Sequence, residues 1–480
     1  MRPDRASRPR ALLATPIPPM ATGLATYAVR VLDCTKRSID WLVAYPEGGD
    51  PASLPQNVDS VRLKEIGSRQ LPAIRFFALG NSPHCFDVLA LLRDVGGAAV
   101  MHETVLHHMI RHCSLQRDVW DDYHDALVFE YGPAAESIRR RLSRRASEEE
   151  YDRLLKEYPL VGRAVHASVM LLCLNCSAAE ELRARAGARP VLRIGHPLSP
   201  VGETEAQDPG GSPVVGMAGS FHSGRNLDLV VGAVESLRRD RPKTVLVLAG
   251  GGYPRGLPDW VIRTGRLPEA AYQGWIRAFD VAVDARHPSC GETSGSLLEV
   301  MRAGVPCVLS DSGAFRCIPS QCVRRLPSEG MAHTLPRALK WLLDSPEAAG
   351  RMAEAGRRWA ESEGARRRCL SDWRRAVSLY PPSRKRLPPR PSLAAAWHEP
   401  PDGAERVTHG DAVAWKVFDG MVLEGPEWAE AAWVSGCGPG TAAGVHLPKT
   451  HGVTRVPGRR LLFRGGATIT AVTWLGGGGG

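Results

Sequence analysis

The residues best suited to chemistry stand at positions 291–311, GETSGSLLEVMRAGVPCVLSD. Glu292 lies in a glycine-flanked turn, and Thr293, Ser294, Gly295 and Ser296 then open a short amphipathic helix. A helix start offers unpaired backbone N–H groups and about half a positive charge, so this run can hold a phosphate. Glu299 follows Ser296 by three residues and shares its helix face, away from Leu298 and Met301. A carboxylate there can look into a crevice while the leucine side packs inward, which suits a ribose diol. Gly304 stops the helix, and a buried-type strand begins at Cys307.

Other candidates stand at the ends of apolar runs. Gly219 closes the strand-like VVGMAG, and the loop SFHSGR after it brings Arg225 to the start of a helix. The planar guanidinium of Arg225 can hold two phosphate oxygens at once, although an exposed loop arginine would look the same in sequence. Gly23 follows a strand and opens a helix, where a missing side chain lets a ligand approach the backbone; an ordinary tight turn is the competing account. His102 comes directly after AAVM, at a strand end where ligands of open α/β sheets gather, and Asn81 with Ser82 are placed to line the same cleft. Glu292 also has a plainer reading, as an acid that only caps the helix.

Positioning these groups requires parallel sheets, and the chain alternates apolar runs with helical patterns in the way that produces them. Strands are expected at 11–15, 41–44, 74–79, 98–101, 169–174 and 191–194, with a helix over 24–35. A second series starts at 214 and continues at 245–249, 261–264, 281–284 and 307–310. The fold class is therefore α/β with two Rossmann-like halves. The first domain is expected over 1–197, a linker over 198–213, and the second domain over 214–358. Residues 348–379 read as helix, and 359–380 are assigned to a closing segment. The last stretch, 381–480, is rich in Pro and Gly. It reads as an irregular tail or a small β element, with strand-like runs at 460–463 and 468–474.

The chain has 480 residues, 43% of them hydrophobic and 23% charged, which is a globular composition with room for two or three domains. No apolar run approaches the roughly 18 residues of a membrane span, and the basic start lacks a signal-like apolar core, so a cytoplasmic protein is expected. Eleven cysteines suggest reduced, buried thiols, including Cys173 and Cys176 despite their CxxC spacing. The formal charge of +10 admits nucleic acid, a membrane surface or an anionic substrate as partner. The cluster Arg139, Arg140, Arg141, Arg144 and Arg145 runs directly toward Glu148, Glu149 and Glu150, as a solvated helix face would. Anionic lipid is the alternative contact for that face.

The run at 291–311 resembles the donor-site signature of retaining glycosyltransferase family 4, whose GT-B fold sets two Rossmann-like domains around a cleft. Further matches follow in order: PIPPMATGLATYA near the start, LGNSPH at 79–84, MHETVLHH at 101–108 and GRNLDLVVGAV at 224–234. The resemblance implies transfer of a sugar from a nucleoside diphosphate donor to a glycan, a lipid-linked acceptor or a small molecule, with retention of configuration. It assigns Arg225 to the leaving diphosphate, His102 and Glu292 to the transferred sugar, and Glu299 to the ribose. Gly23, Asn81, Ser82, Gly219, Thr293, Ser294, Gly295 and Ser296 become binding residues. It implies that the last helix crosses back onto the first domain, and that no cofactor, metal or nucleic acid is needed, with peripheral contact to an anionic inner membrane face. The chain departs from the pattern in two places. Ser220 stands where many members carry a second cation, which leaves His222 to complete the clamp, and the first acid, Glu292, is shifted by one position. A nucleotide-sugar epimerase of the same fold and an inactive binding protein are the alternatives.

Overall fold

The computed structural model describes residues 8–68, 70–144, 147–200 and 204–381, together with six short strands between 405 and 474. The first lobe is a seven-stranded sheet of β1 (Arg10–Ala14), β2 (Asp40–Tyr45), β3 (Asp59–Arg62), β4 (Ile74–Leu79), β5 (Gly97–Met101), β6 (Ser168–Cys173) and β7 (Val191–Arg193). Its order is β3-β2-β1-β4-β5-β6-β7, and every pair is parallel. The second lobe holds β8 (Val214–Ala218), β9 (Val245–Ala249), β10 (Val261–Gly265), β11 (Val281–Asp284), β12 (Cys307–Ser310) and β13 (Arg324–Leu326). These pair in parallel in the order β10-β9-β8-β11-β12-β13. This is the GT-B architecture. Each sheet reverses its order once, between β1 and β4 and between β8 and β11, and such switch points leave a crevice at the strand C-termini.

The central strands are buried along both faces, as helix-covered parallel strands must be. Two short strands escaped the sequence reading. β3 and β13 lie at sheet edges, and their residues DSVR and RRL carry too little apolar pattern to stand out. The helical stretch expected over 348–379 is two helices, Pro346–Glu363 and Arg366–Ser378. They part at Gly364, whose carbonyl accepts Leu198 N at 3.1 Å. The second helix lies on the first lobe. Trp373 wedges between Trp41 and Phe76 with ring centroids 5.5 and 5.1 Å away, and Asp372 accepts Gly195 N at 3.0 Å.

The cysteine reading needs correction. Cys173 ends β6 as a buried free thiol, but Cys176 opens the helix Cys176–Ala186 and forms a disulfide with Cys317 of the second lobe, with Cα atoms 6.0 Å apart. Sequence spacing could not reveal this, because the partner is 141 residues away. In the tail, four antiparallel strands run over Glu405–His409, Ala412–Val417, Gly420–Glu424 and Ala432–Ser435. Ala442–Val445 pairs with Val472–Trp474, so part of the expected run at 468–474 is a strand. The run at 460–463 lies outside the described residues.

Candidate active site

The helix Gly295–Arg302 is capped by Ser294, whose hydroxyl accepts Leu297 N at 3.2 Å. That leaves the N–H groups of Gly295 and Ser296 in the first turn without an intrahelical partner. Across from them, β8 is followed by Gly219 at φ +110, a conformation that L side chains rarely adopt. A Cβ on Gly219 would lie 2.7 Å from the Ser296 hydroxyl and 3.3 Å from Nη1 of Arg225. The absent side chain therefore keeps open the space that the arginine, the serine and the helix start all face.

Arg225 is 1% exposed. Its Nη2 donates to Ala218 O at 2.9 Å, Phe221 lies under the guanidinium at 5.5 Å, and Asp284 stands 3.5 Å from Nε. Its Nε and Nη1 have no hydrogen-bond partner. Burial pushes its pKa down to about 10, with Asp284 opposing the shift. A buried cation with two idle donors costs stability, because donors removed from water are not compensated. An anion placed against the helix start would supply that compensation.

The end of β11 and the loop after it complete the wall, and two of their residues, Asp284 and Arg286, were not among the candidates. Asp284 binds Arg286 as well as Arg225 and accepts the Ser294 hydroxyl at 3.2 Å. Arg286 then reaches Ser294 Oγ at 3.0 Å and Glu292 at 3.3 Å. Glu292 closes its own loop, accepting from Ser289 Oγ at 3.1 Å and Cys290 N at 2.7 Å. Thr293 Oγ1 and Gly291 O both accept Asn175 Nδ2, from the first lobe, at 3.0 and 2.9 Å.

Glu299 is 1% exposed and lies at the seam between the lobes. One carboxylate oxygen meets Ser199 N at 3.1 Å and Arg30 at 3.0 Å, and the other meets Gln273 at 3.3 Å and Arg302. Arg30 comes from the helix Gly23–Thr35 of the first lobe, so this carboxylate is clasped rather than open. Nothing in the local pattern around Arg30 pointed to that role.

In the first lobe, Gly23 has open space where a Cβ would stand. His102 packs edge-on against Tyr27 with ring centroids 4.6 Å apart, and its Nε2 has no partner. Burial, then the nearby His196, pushes its pKa down to about 3, so the ring is neutral at ordinary pH. His196, also unanticipated, packs against the helix start: a Cβ on Gly295 would lie 2.8 Å from its ring. Asn81 is occupied in holding the first lobe together, accepting Met109 N at 2.9 Å and donating its own N–H to Glu103 at 2.5 Å. Ser82 begins the turn beside it, its carbonyl accepting Cys85 N at 2.9 Å. Burial and the facing Glu292 raise Glu103 to about 8.

Residues 212–344 match the family model described as glycosyl transferases group 1. The second lobe is a group 1 glycosyltransferase domain. Over 77% of its length the chain resembles solved structures of the same fold. Sucrose-phosphate synthase from Thermosynechococcus elongatus aligns at 14% identity and TM-score 0.54 over 77% of this chain and 98% of that one. Anabaena HepE, solved with UDP and glucose, aligns at 12% identity and TM-score 0.52 over 77% of this chain and 100% of that one. HepE with UDP-glucose gives 13% and 0.50, covering 77% and 99%. No curated protein matches at the level of sequence. The Arg225 guanidinium, Gly219 and the start of Gly295–Arg302 all lie within the matched glycosyltransferase segment. Among the described residues, no helix is long and apolar enough to cross a membrane, and no three His, Cys, Asp or Glu side chains group as metal ligands. Arg139 and Arg140 pair with Glu136, and Arg141 pairs with Glu157, as on a solvated helix face.

Proposed function

We propose that this chain is a retaining glycosyltransferase that takes its sugar from a nucleoside diphosphate donor. The observation that carries the reading is Arg225, a buried cation whose Nε and Nη1 lack hydrogen-bond partners beside a glycine and an open helix start. A diphosphate between them would meet a guanidinium, two N–H groups and the Ser296 hydroxyl. Negative charge grows on that group as the bond to the sugar breaks, so donors already fixed there stabilise the transition state more than the ground state.

In the proposed reaction the bond from the anomeric carbon to the diphosphate oxygen breaks and a bond to the acceptor hydroxyl oxygen forms on the same face. The hydroxyl proton passes to the leaving phosphate. His102, neutral and with an idle ring nitrogen, borders the sugar position together with Gly23 and Glu292. Glu299 is the carboxylate for the ribose diol, and reaching it requires the Arg30 contact to open. The acceptor is a glycan, a lipid-linked glycan or a small molecule, in that order of expectation.

Thermal shift with UDP, GDP, ADP and TDP tests the donor site, since a ligand that binds only the folded state raises the melting temperature. At least one should stabilise the wild type and lose its effect in Arg225→Ala. A panel without any shift would refute the reading, and donor turnover without an acceptor would point to an epimerase.

A further inference from the structure

Ser220 leaves the loop at 219–225 one cation short of what its position suggests, yet a third cation does reach that loop from the other lobe. Lys156 stands near the end of the helix Glu148–Glu157, in the first lobe. Its ammonium crosses the seam and donates to Pro288 O at 2.9 Å. It also lies 3.5 Å from the point that a Cβ on Gly224 would occupy. Pro288 and Gly224 belong to the two loops that frame the space beside Arg225, and His287 N ties those loops by donating to Gly224 O at 3.3 Å. The ammonium charge is felt by His222 on one loop, by His287 on the other and by Glu103 of the first lobe.

Lys156 is half-buried here and is held, among the described residues, by a single hydrogen bond. Its described partner is a neutral carbonyl, and among the described residues no carboxylate forms an ion pair with it. Two more cations, Arg225 and Arg286, also act on His222, and they pair with the carboxylates of Asp284 and Glu292. The arrangement has cationic charge to spare, which a diphosphate would absorb.

We propose that Lys156 is an anion-binding residue delivered by the first lobe, completing the diphosphate clamp that Arg225 begins. The inference rests on the donor reading above. Its consequence is that the clamp is whole only while the lobes are closed, so that donor binding and closure favour each other.

The test uses the full chain and the best binder among UDP, GDP, ADP and TDP, compared with its parent nucleoside by calorimetric titration. Lys156→Met should weaken the diphosphate by about 10- to 100-fold, the range expected for a charge-assisted contact, and leave the nucleoside unchanged. Lys156→Arg should recover most of the loss. An unchanged melting temperature without ligand shows that the variant is folded. Equal diphosphate affinity in wild type and Lys156→Met would overturn the inference, as would equal loss of diphosphate and nucleoside. A wild type that binds none of the four diphosphates would instead bring down the donor reading itself.

Discussion

Arg225 combines full burial with unmet hydrogen-bonding capacity, and these pull stability and function in opposite directions. Replacing it with methionine removes a desolvated charge while keeping most of the volume, and Asp284 keeps Arg286 as its partner, so the unliganded protein should melt no lower than the wild type. Transfer should nonetheless fall by about 10²- to 10³-fold, the usual cost of losing one preorganised donor to a developing oxyanion. Comparing melting curves with initial rates separates the two effects. Glu103 gives a second prediction. The folded protein keeps a proton on it between the ordinary 4.5 and about 8, whereas the unfolded chain has released it, so this group's contribution to stability falls as pH rises through that window. Glu103→Gln should flatten that part of the curve of melting temperature against pH. If the variant and the wild type keep the same slope, the carboxyl is not held protonated by burial and by Glu292.

Two elements decide whether these side chains meet. Ser294 is at once the cap of Gly295–Arg302 and the hydroxyl shared by Asp284 and Arg286. Ser294→Ala should lower stability by about 1 kcal/mol, as loss of a cap does, and should weaken nucleotide binding as well, because Arg286 loses its stop. Chemical denaturation and nucleotide titration of one variant read both effects. The helix Arg366–Ser378 holds the lobes in register through Trp373, which is fully buried between Trp41 and Phe76. Trp373→Ala should cost about 3–5 kcal/mol in denaturant unfolding, the range for emptying a large aromatic site.

At the scale of the molecule, Cys176–Cys317 joins the lobes beside the candidate site. Closing a loop of this size is worth about 5 kcal/mol at the chain-entropy limit. Cys176→Ser, or reduction with dithiothreitol, should therefore lower the melting temperature, and it should widen the seam as seen by small-angle scattering. A reductant that leaves both unchanged would mean that the bond does not restrain the lobes in solution. The seam also carries the Arg30–Glu299 and Asn175–Thr293 contacts, so some closure should survive reduction.

Much of the layered architecture was legible in the chain because buried parallel strands are continuous apolar runs. The segments VLVLA and VAVD declare themselves, and their C-terminal ends announce where a crevice must open. The helix start at Ser294 was legible for a similar reason, since a small polar residue before an amphipathic run is a local signal. What the tertiary structure alone decided are the pairings between distant parts. Arg30 clasps Glu299, Lys156 enters between Gly224 and Pro288, and Cys176 finds Cys317. None of these has a periodicity or a neighbouring motif, because each depends on how two separately folded sheets are turned toward one another. Local sequence determines where a strand ends; only the packing of one lobe against the other determines which charge stands opposite it.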